Sequence, residues 1–179
     1  MRTVLVIAVL ASCAGPAASQ QMSNDTRAEQ LAASFNKHKD VVRQKRGVTK
    51  EKYVDVRSEP LVRRNVRDYA GAYEVPDLGF VIDIEVDSGG GVLAQGYDRG
   101  RSPGSFRLEN AKIENAVLMG RKAYSSGATE PFEAVFLSRT EQRTRNGPWS
   151  TTLGLGVMLS TPFEFGGVTY DRLFYQLKR

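Results

Sequence analysis

Short runs of strict apolar–polar alternation, repeated between residues 48 and 179, leave few folds open to this chain. In the clearest run Phe80, Ile82, Ile84 and Val86 share one parity, and Val81, Asp83, Glu85 and Asp87 share the other. Successive side chains of a strand point to opposite faces, so such a run is a strand with one apolar face. Asp87-Ser88-Gly89-Gly90-Gly91 then supplies turn chemistry, and Val92-Leu93-Ala94-Gln95 returns, which makes a hairpin. Comparable runs occur at Tyr53–Arg57, Ser105–Leu108, Ala116–Tyr124, Phe132–Ser138, Trp149–Leu159 and Thr169–Leu177. Turn signals part them: Arg101-Ser102-Pro103-Gly104, Glu114-Asn115, Ser125-Ser126-Gly127, Asn146-Gly147-Pro148 and Gly166-Gly167. The Trp149 run is the longest, with Thr151, Leu153, Leu155, Val157 and Leu159 on its apolar parity and Gly154 and Gly156 on the other. Glycines so placed mark bending or the close approach of another chain segment. About eight strands at this spacing predict a mainly β fold. The expected form is a meandering antiparallel barrel or half-barrel behind one N-terminal helix, with a two-sheet β-sandwich as the alternative. Hydrophobic residues at 41% and charged residues at 25% are enough for one globular core of this size.

Tyr69-Ala70-Gly71-Ala72-Tyr73, followed by the strand ending at Asp87, the glycines and Val92-Leu93, resembles the Y-x-G-x-Y opening of small lipocalin-like β domains. These domains, of unassigned function, are appended to bacterial β-lactamase-like serine hydrolases. The resemblance spans Tyr69–Tyr97 and implies an antiparallel accessory barrel without catalysis. The lipocalin family proper opens with G-x-W, whereas the lone tryptophan here is Trp149.

The N-terminus has the order of an export signal: Met1-Arg2, the apolar stretch Thr3–Ala11, then small residues to Gln20. The apolar stretch falls short of the roughly 20 residues that cross a bilayer. Two processing routes are open. Ala17 and Ser19 fit a signal peptidase that removes residues 1–19. Leu10-Ala11-Ser12-Cys13 resembles a bacterial lipobox, which would remove residues 1–12 and make Cys13 the lipid-bearing residue. Cys13 is the only cysteine, so a disulfide framework and a cysteine zinc site are both excluded.

Residues 23–47 predict a basic amphipathic helix, and residues 48–179 the β domain. Thr26-Arg27-Ala28-Glu29 has capping-box spacing, Leu31, Phe35, His38 and Val42 recur on one helical face, and Gly47 stands as a C-cap. His38 is the only histidine and lies between Lys37 and Lys39, so a nucleophilic site with a histidine base has no support. Asp83, Glu85 and Asp87 sit roughly 7 Å apart along one strand face, a spacing that carboxylate hydrolases use and that any solvated acidic face also shows. The Gly89-Gly90-Gly91 run lacks a following Lys-Ser/Thr and helix, so it reads as a hairpin turn. No catalytic residue, cofactor or metal is expected, and the net charge is +5. The basic groups are Lys37, Lys39, Arg43, Lys45 and Arg46, then Arg63, Arg64 and Arg67, and then Arg139, Arg143 and Arg145. With no interleaved aromatics they suit an anionic membrane surface or envelope polymer rather than nucleic acid.

The expected function is an exported, non-catalytic β-barrel-like module that binds or supports structure in the bacterial cell envelope. Its expected place is the periplasm or a lipoprotein anchor, with secretion as the alternative. A carrier of a small apolar ligand and a carboxylate hydrolase are the alternative functions.

Overall fold

The computed structural model describes residues 17–45, 48–98 and 104–178. The expected signal segment before residue 17, with Cys13, lies outside them, as do Gly47 and most of the turn at residues 101–104. One helix, α1 (Ala17–Ser34), comes first. A hairpin follows, β1 (Lys37–Lys45) and β2 (Val48–Pro60), and then a 3-10 turn at Val66–Tyr69. Eight further strands complete the fold: β3 (Gly71–Val75), β4 (Phe80–Val86), β5 (Val92–Asp98), β6 (Gly104–Glu114), β7 (Val117–Tyr124), β8 (Thr129–Gln142), β9 (Ser150–Phe165) and β10 (Val168–Leu177). Each pairs antiparallel with its sequence neighbour, and β10 returns to β3, so β3–β10 close an eight-stranded barrel. The barrel replaces the sandwich alternative.

The closing seam is short: Gln176 faces Glu74 and Leu177 faces Tyr73. A bond from Lys178 N to Ala72 O and a Lys178–Glu74 ion pair at 2.6 Å extend it. β8 has the richest pairing. It meets β7 along Thr129–Val135 and β2 along Leu137–Gln142, while β9 lies on its other side.

Alternation fills the barrel as the sequence implies. Phe80, Ile82 and Ile84 of β4 point inward with Phe106, Leu118, Phe136, Leu155, Leu173 and Tyr175, all buried. An eight-stranded barrel has an interior that side chains just fill. The segment between β2 and β3 places Tyr69 in this core, its ring 4.3 Å from that of Phe136. Tyr73 packs edge-on against Phe136 and donates its hydroxyl proton to Tyr69 O at 2.7 Å. Arg67 donates to Ser88 O and so ties this segment to the β4–β5 turn.

The N-terminal region corrects the sequence reading. The helix ends at Ser34, not near Arg46, and residues 37–45 form a strand. The stripe that packs is Ala28, Leu31, Ala32 and Phe35, at i, i+3, i+4 and i+7, laid on Val117, Val135 and Leu137 outside the barrel. His38 and Val42 are not on it. Burying Leu31 and Phe35 contributes about 1.5–3 kcal/mol each, which fixes where the helix stops. Past Phe35, Asn36 accepts the Ser58 amide at 2.6 Å, and the chain joins β2 as an edge strand. The adjacent β-branched Val41 and Val42 favour that state. Arg172 donates to the terminal Ser34 carbonyl, and Arg27 pairs with Glu133. Gly156 of β9 admits the helix: a Cβ there would meet the Phe35 ring at 2.8 Å. Among the described residues no helix is long and apolar enough to cross a membrane.

Candidate functional site

Three strands bring opposite charges together at the barrel end that carries the β5–β6, β7–β8 and β9–β10 connections. Asp98 ends β5, Lys122 and Tyr124 lie two residues apart on the inward face of β7, and Glu130 lies near the start of β8. Lys122 and Asp98 are buried, at 3% and 2% exposure. A charge so enclosed is stable only when paired and hydrogen-bonded. The Lys122 ammonium donates to Asp98 Oδ2 and lies 3.6 Å from Glu130 Oε1. It also sits 4.6 Å above the Phe106 ring and 5.1 Å from that of Phe132, within cation–π range.

Tyr124 completes the network. Its oxygen lies 2.7 Å from Glu130 Oε1 and 3.2 Å from Asp98 Oδ1, so its one proton is shared between two carboxylate acceptors. Burial first, then the Glu130 hydrogen bond and the two carboxylate charges, pushes the phenol far above the ordinary tyrosine range. Burial raises Tyr175 as well, with the Asp98 charge adding to it. Both phenols stay neutral at physiological pH, Tyr124 as a donor to its carboxylates. The outer oxygen of Glu130 is 3.3 Å from Ser160 Oγ. A cleft lined by Lys122, Glu130, Phe132, Val157 and Leu159 opens here, about 20 Å³ in size, with room for roughly one water molecule. As built, the ammonium is occupied by its carboxylates. The arrangement clamps β5, β7 and β8 to one another across the barrel mouth.

The residues weighed from sequence lie elsewhere. Asp83 and Glu85 are exposed on the outer face of β4. Asp87 closes the β4–β5 turn, accepting the amides of Gly89 and Gly91 at 2.7 and 2.8 Å. The glycine run is therefore that turn, as expected. His38 stands in β1, opposite Asp55 in register, and not on a helix. Trp149, which heads the longest alternating run of the sequence, is 42% exposed just before β9, with the Arg57 guanidinium 4.8 Å from its ring. Phe165 is likewise 41% exposed. Arg139 and Arg143 share Glu141 as an ion-pair partner, and Arg139 lies over Phe174. Among the described residues no three His, Cys, Asp or Glu side chains are grouped to hold a metal.

Sequence reading passed over Lys122, Asp98 and Glu130, although a signal exists. Each charge falls on the inward parity of its strand, with Leu118 and Tyr124, with Ala94, and with Phe132 and Ala134 respectively. Comparison with protein-family profiles, with curated proteins and with solved structures finds no match.

Proposed function

We propose that this chain is an exported, non-catalytic barrel module of the bacterial cell envelope whose outer surfaces, and not its interior, make its contacts. One observation carries this reading: side chains occupy the barrel from Tyr69 and Phe136 to the Lys122–Asp98–Glu130 clamp, leaving room at the clamp for about one water. A carrier of an apolar ligand would need a cavity of hundreds of cubic ångströms. The resemblance of Tyr69–Tyr97 to lipocalin-like accessory domains, and the signal-like N-terminus, support the same reading.

The test has two arms. Titration with a fluorescent fatty acid is expected to show no saturable site, and one-to-one binding would overturn the closed-interior reading. The probe's own emission must be followed, because Trp149 lies outside the barrel. In the second arm, intact mass from the native host is expected to show a mature chain beginning at Cys13 with a lipid attached, abolished by Cys13→Ala. An unmodified start at Gln20 would replace the anchor by a soluble export product, and an uncleaved cytoplasmic chain would overturn export altogether.

A further inference from the structure

The β9–β10 hairpin outruns the barrel wall. β8 holds β9 only as far as Val157, opposite Ala134, and β3 holds β10 only at Gln176 and Leu177. Between the pairs Arg172↔Met158 and Tyr170↔Phe163 the register breaks, and residues 159–162 of β9 stand opposite the single Asp171 of β10. Pro162 has no amide to give to a ladder, in keeping with such a break. Past it, residues 163–165 pair with residues 168–170 across Gly166 and Gly167, whose φ of 58° and 76° suit a tight hairpin turn. Among the described residues no other strand pairs with this outer arm.

Side chains carry the arm across the barrel mouth. Ser160 Oγ lies 3.3 Å from Glu130 Oε2 on β8, and the Phe163 ring lies 5.8 Å from that of Phe80 on β4. β4 and β8 stand four places apart in the closed order of β3–β10, so they are opposite walls of the barrel. Tyr170 stacks on Phe163 at 5.3 Å, and both rings rest on the core together with Leu159. The cleft at Lys122 has residues 159–161 as one of its sides. The tip is open to solvent, with Phe165 41% and Val168 52% exposed. The base is fixed instead, because Arg172 donates to the last carbonyl of α1, that of Ser34.

We propose that residues 159–171 form a hinged cap, which swings as one body about the break at residues 159–162 and uncovers Phe80 and Lys122 while the barrel stays folded. Pairing within the arm keeps it whole. Its hold on the barrel is a few side-chain contacts, and segments held in this way open at far lower cost than core strands. Opening gives access to the mouth and not to a cavity, so the filled interior is unaffected. The cap needs nothing from the envelope reading.

Hydrogen exchange of the full chain in sub-denaturing urea tests this. The amides of residues 163–170 are expected to share one opening constant, about a hundredfold larger than that of β4 and β8, which rises with urea as surface is exposed. Acylation of Lys122 by a water-soluble active ester is expected to follow the same opening. Phe163→Ala removes the ring that rests on Phe80 and should speed both by roughly tenfold. Phe163→Leu serves, with a smaller rise, if that variant fails to fold. Asp87→Ala loosens the opposite end of the barrel and weakens the capped and uncapped states alike. It should therefore speed exchange in β4 and β8 but leave the cap and Lys122 unchanged. Three outcomes would each overturn the cap: protection at residues 163–170 equal to that of β8, exchange graded outward to Gly166 without urea dependence, or Lys122 acylation that follows Asp87→Ala instead of Phe163→Ala. A saturable fatty-acid site would overturn the filled interior and leave the cap to these measurements.

Discussion

The Lys122 ammonium reaches the Asp98 carboxylate from two strands away, passing over the Phe106 ring of the intervening β6. The contact therefore joins β5 to β7 through the barrel interior, where no backbone hydrogen bond could. Glu130 adds β8 to the same group. Buried pairs of this kind add little net stability but are costly to break, since the surviving charge is left in a medium that solvates it poorly.

Lys122→Met is accordingly expected to cost about 3–5 kcal/mol, because two carboxylates lose their cation. Adding Asp98→Asn and Glu130→Gln should recover much of that loss. Urea unfolding of the single and triple variants measures both effects. A triple variant less stable than the single would refute the view that stranded charge is the cause.

Helix docking depends on the missing side chain at Gly156. Gly156→Ala places a methyl against the Phe35 ring and the Leu137 side chain and is expected to cost roughly 1–3 kcal/mol. Phe35→Ala alone should cost about 3 kcal/mol. The two effects should fall short of additivity by at least about 0.5 kcal/mol, because the second substitution removes what the first collides with. Strict additivity in a double-mutant cycle would place the cost of Gly156→Ala elsewhere.

Alkaline pH should weaken the fold. Burial lifts Tyr73 from the ordinary 10.0 to about 12, and Tyr69 shifts the same way. Below pH 10 Tyr73 is neutral in both folded and unfolded chains, so its contribution is fully present. Between pH 10 and about 12 it ionises when unfolded but not when folded, and stability falls. For Tyr73 alone the loss is roughly 2–3 kcal/mol by pH 12. Urea midpoints at pH 8.5 and 11.5 should separate, and less so in Tyr73→Phe. Coincident midpoints for the wild type would contradict this.

The three acids on the β4 parity should behave differently. Asp83→Asn and Glu85→Gln alter exposed groups and are expected to stay within about 0.5 kcal/mol of the wild type. Asp87→Ala removes the acceptor for two turn amides and should cost about 1 kcal/mol. Thermal or urea unfolding of the three variants ranks them, and an equal loss at Asp83 would point to a role for that residue beyond a solvated face.

Much of the barrel was legible in sequence because its strands keep one apolar parity. Phe80, Ile82 and Ile84, or Leu155 and Val157, announce both strand and inward face. β1 was not legible: Leu31, Phe35, His38 and Val42 match a helical spacing, while the stripe that packs relies on Ala28 and Ala32, small residues that give a weak amphipathic signal. The clamp was hidden for another reason. Lysine and aspartate read as surface residues one at a time, and only their parity beside Leu118 and Ala94 places them inside. Whether opposite charges on β5, β7 and β8 then meet depends on barrel closure, which no local pattern encodes.

Closure also sets an order of events. The barrel is joined only when β10, the last of its strands along the chain, lays Gln176 and Leu177 against Glu74 and Tyr73, about a hundred residues upstream. Until then Phe80, Ile82 and Leu155 have no enclosed interior to enter. A chain threaded N-terminus first through a narrow translocation channel would stay open throughout its passage, and would lock only once its final strand had emerged on the far side.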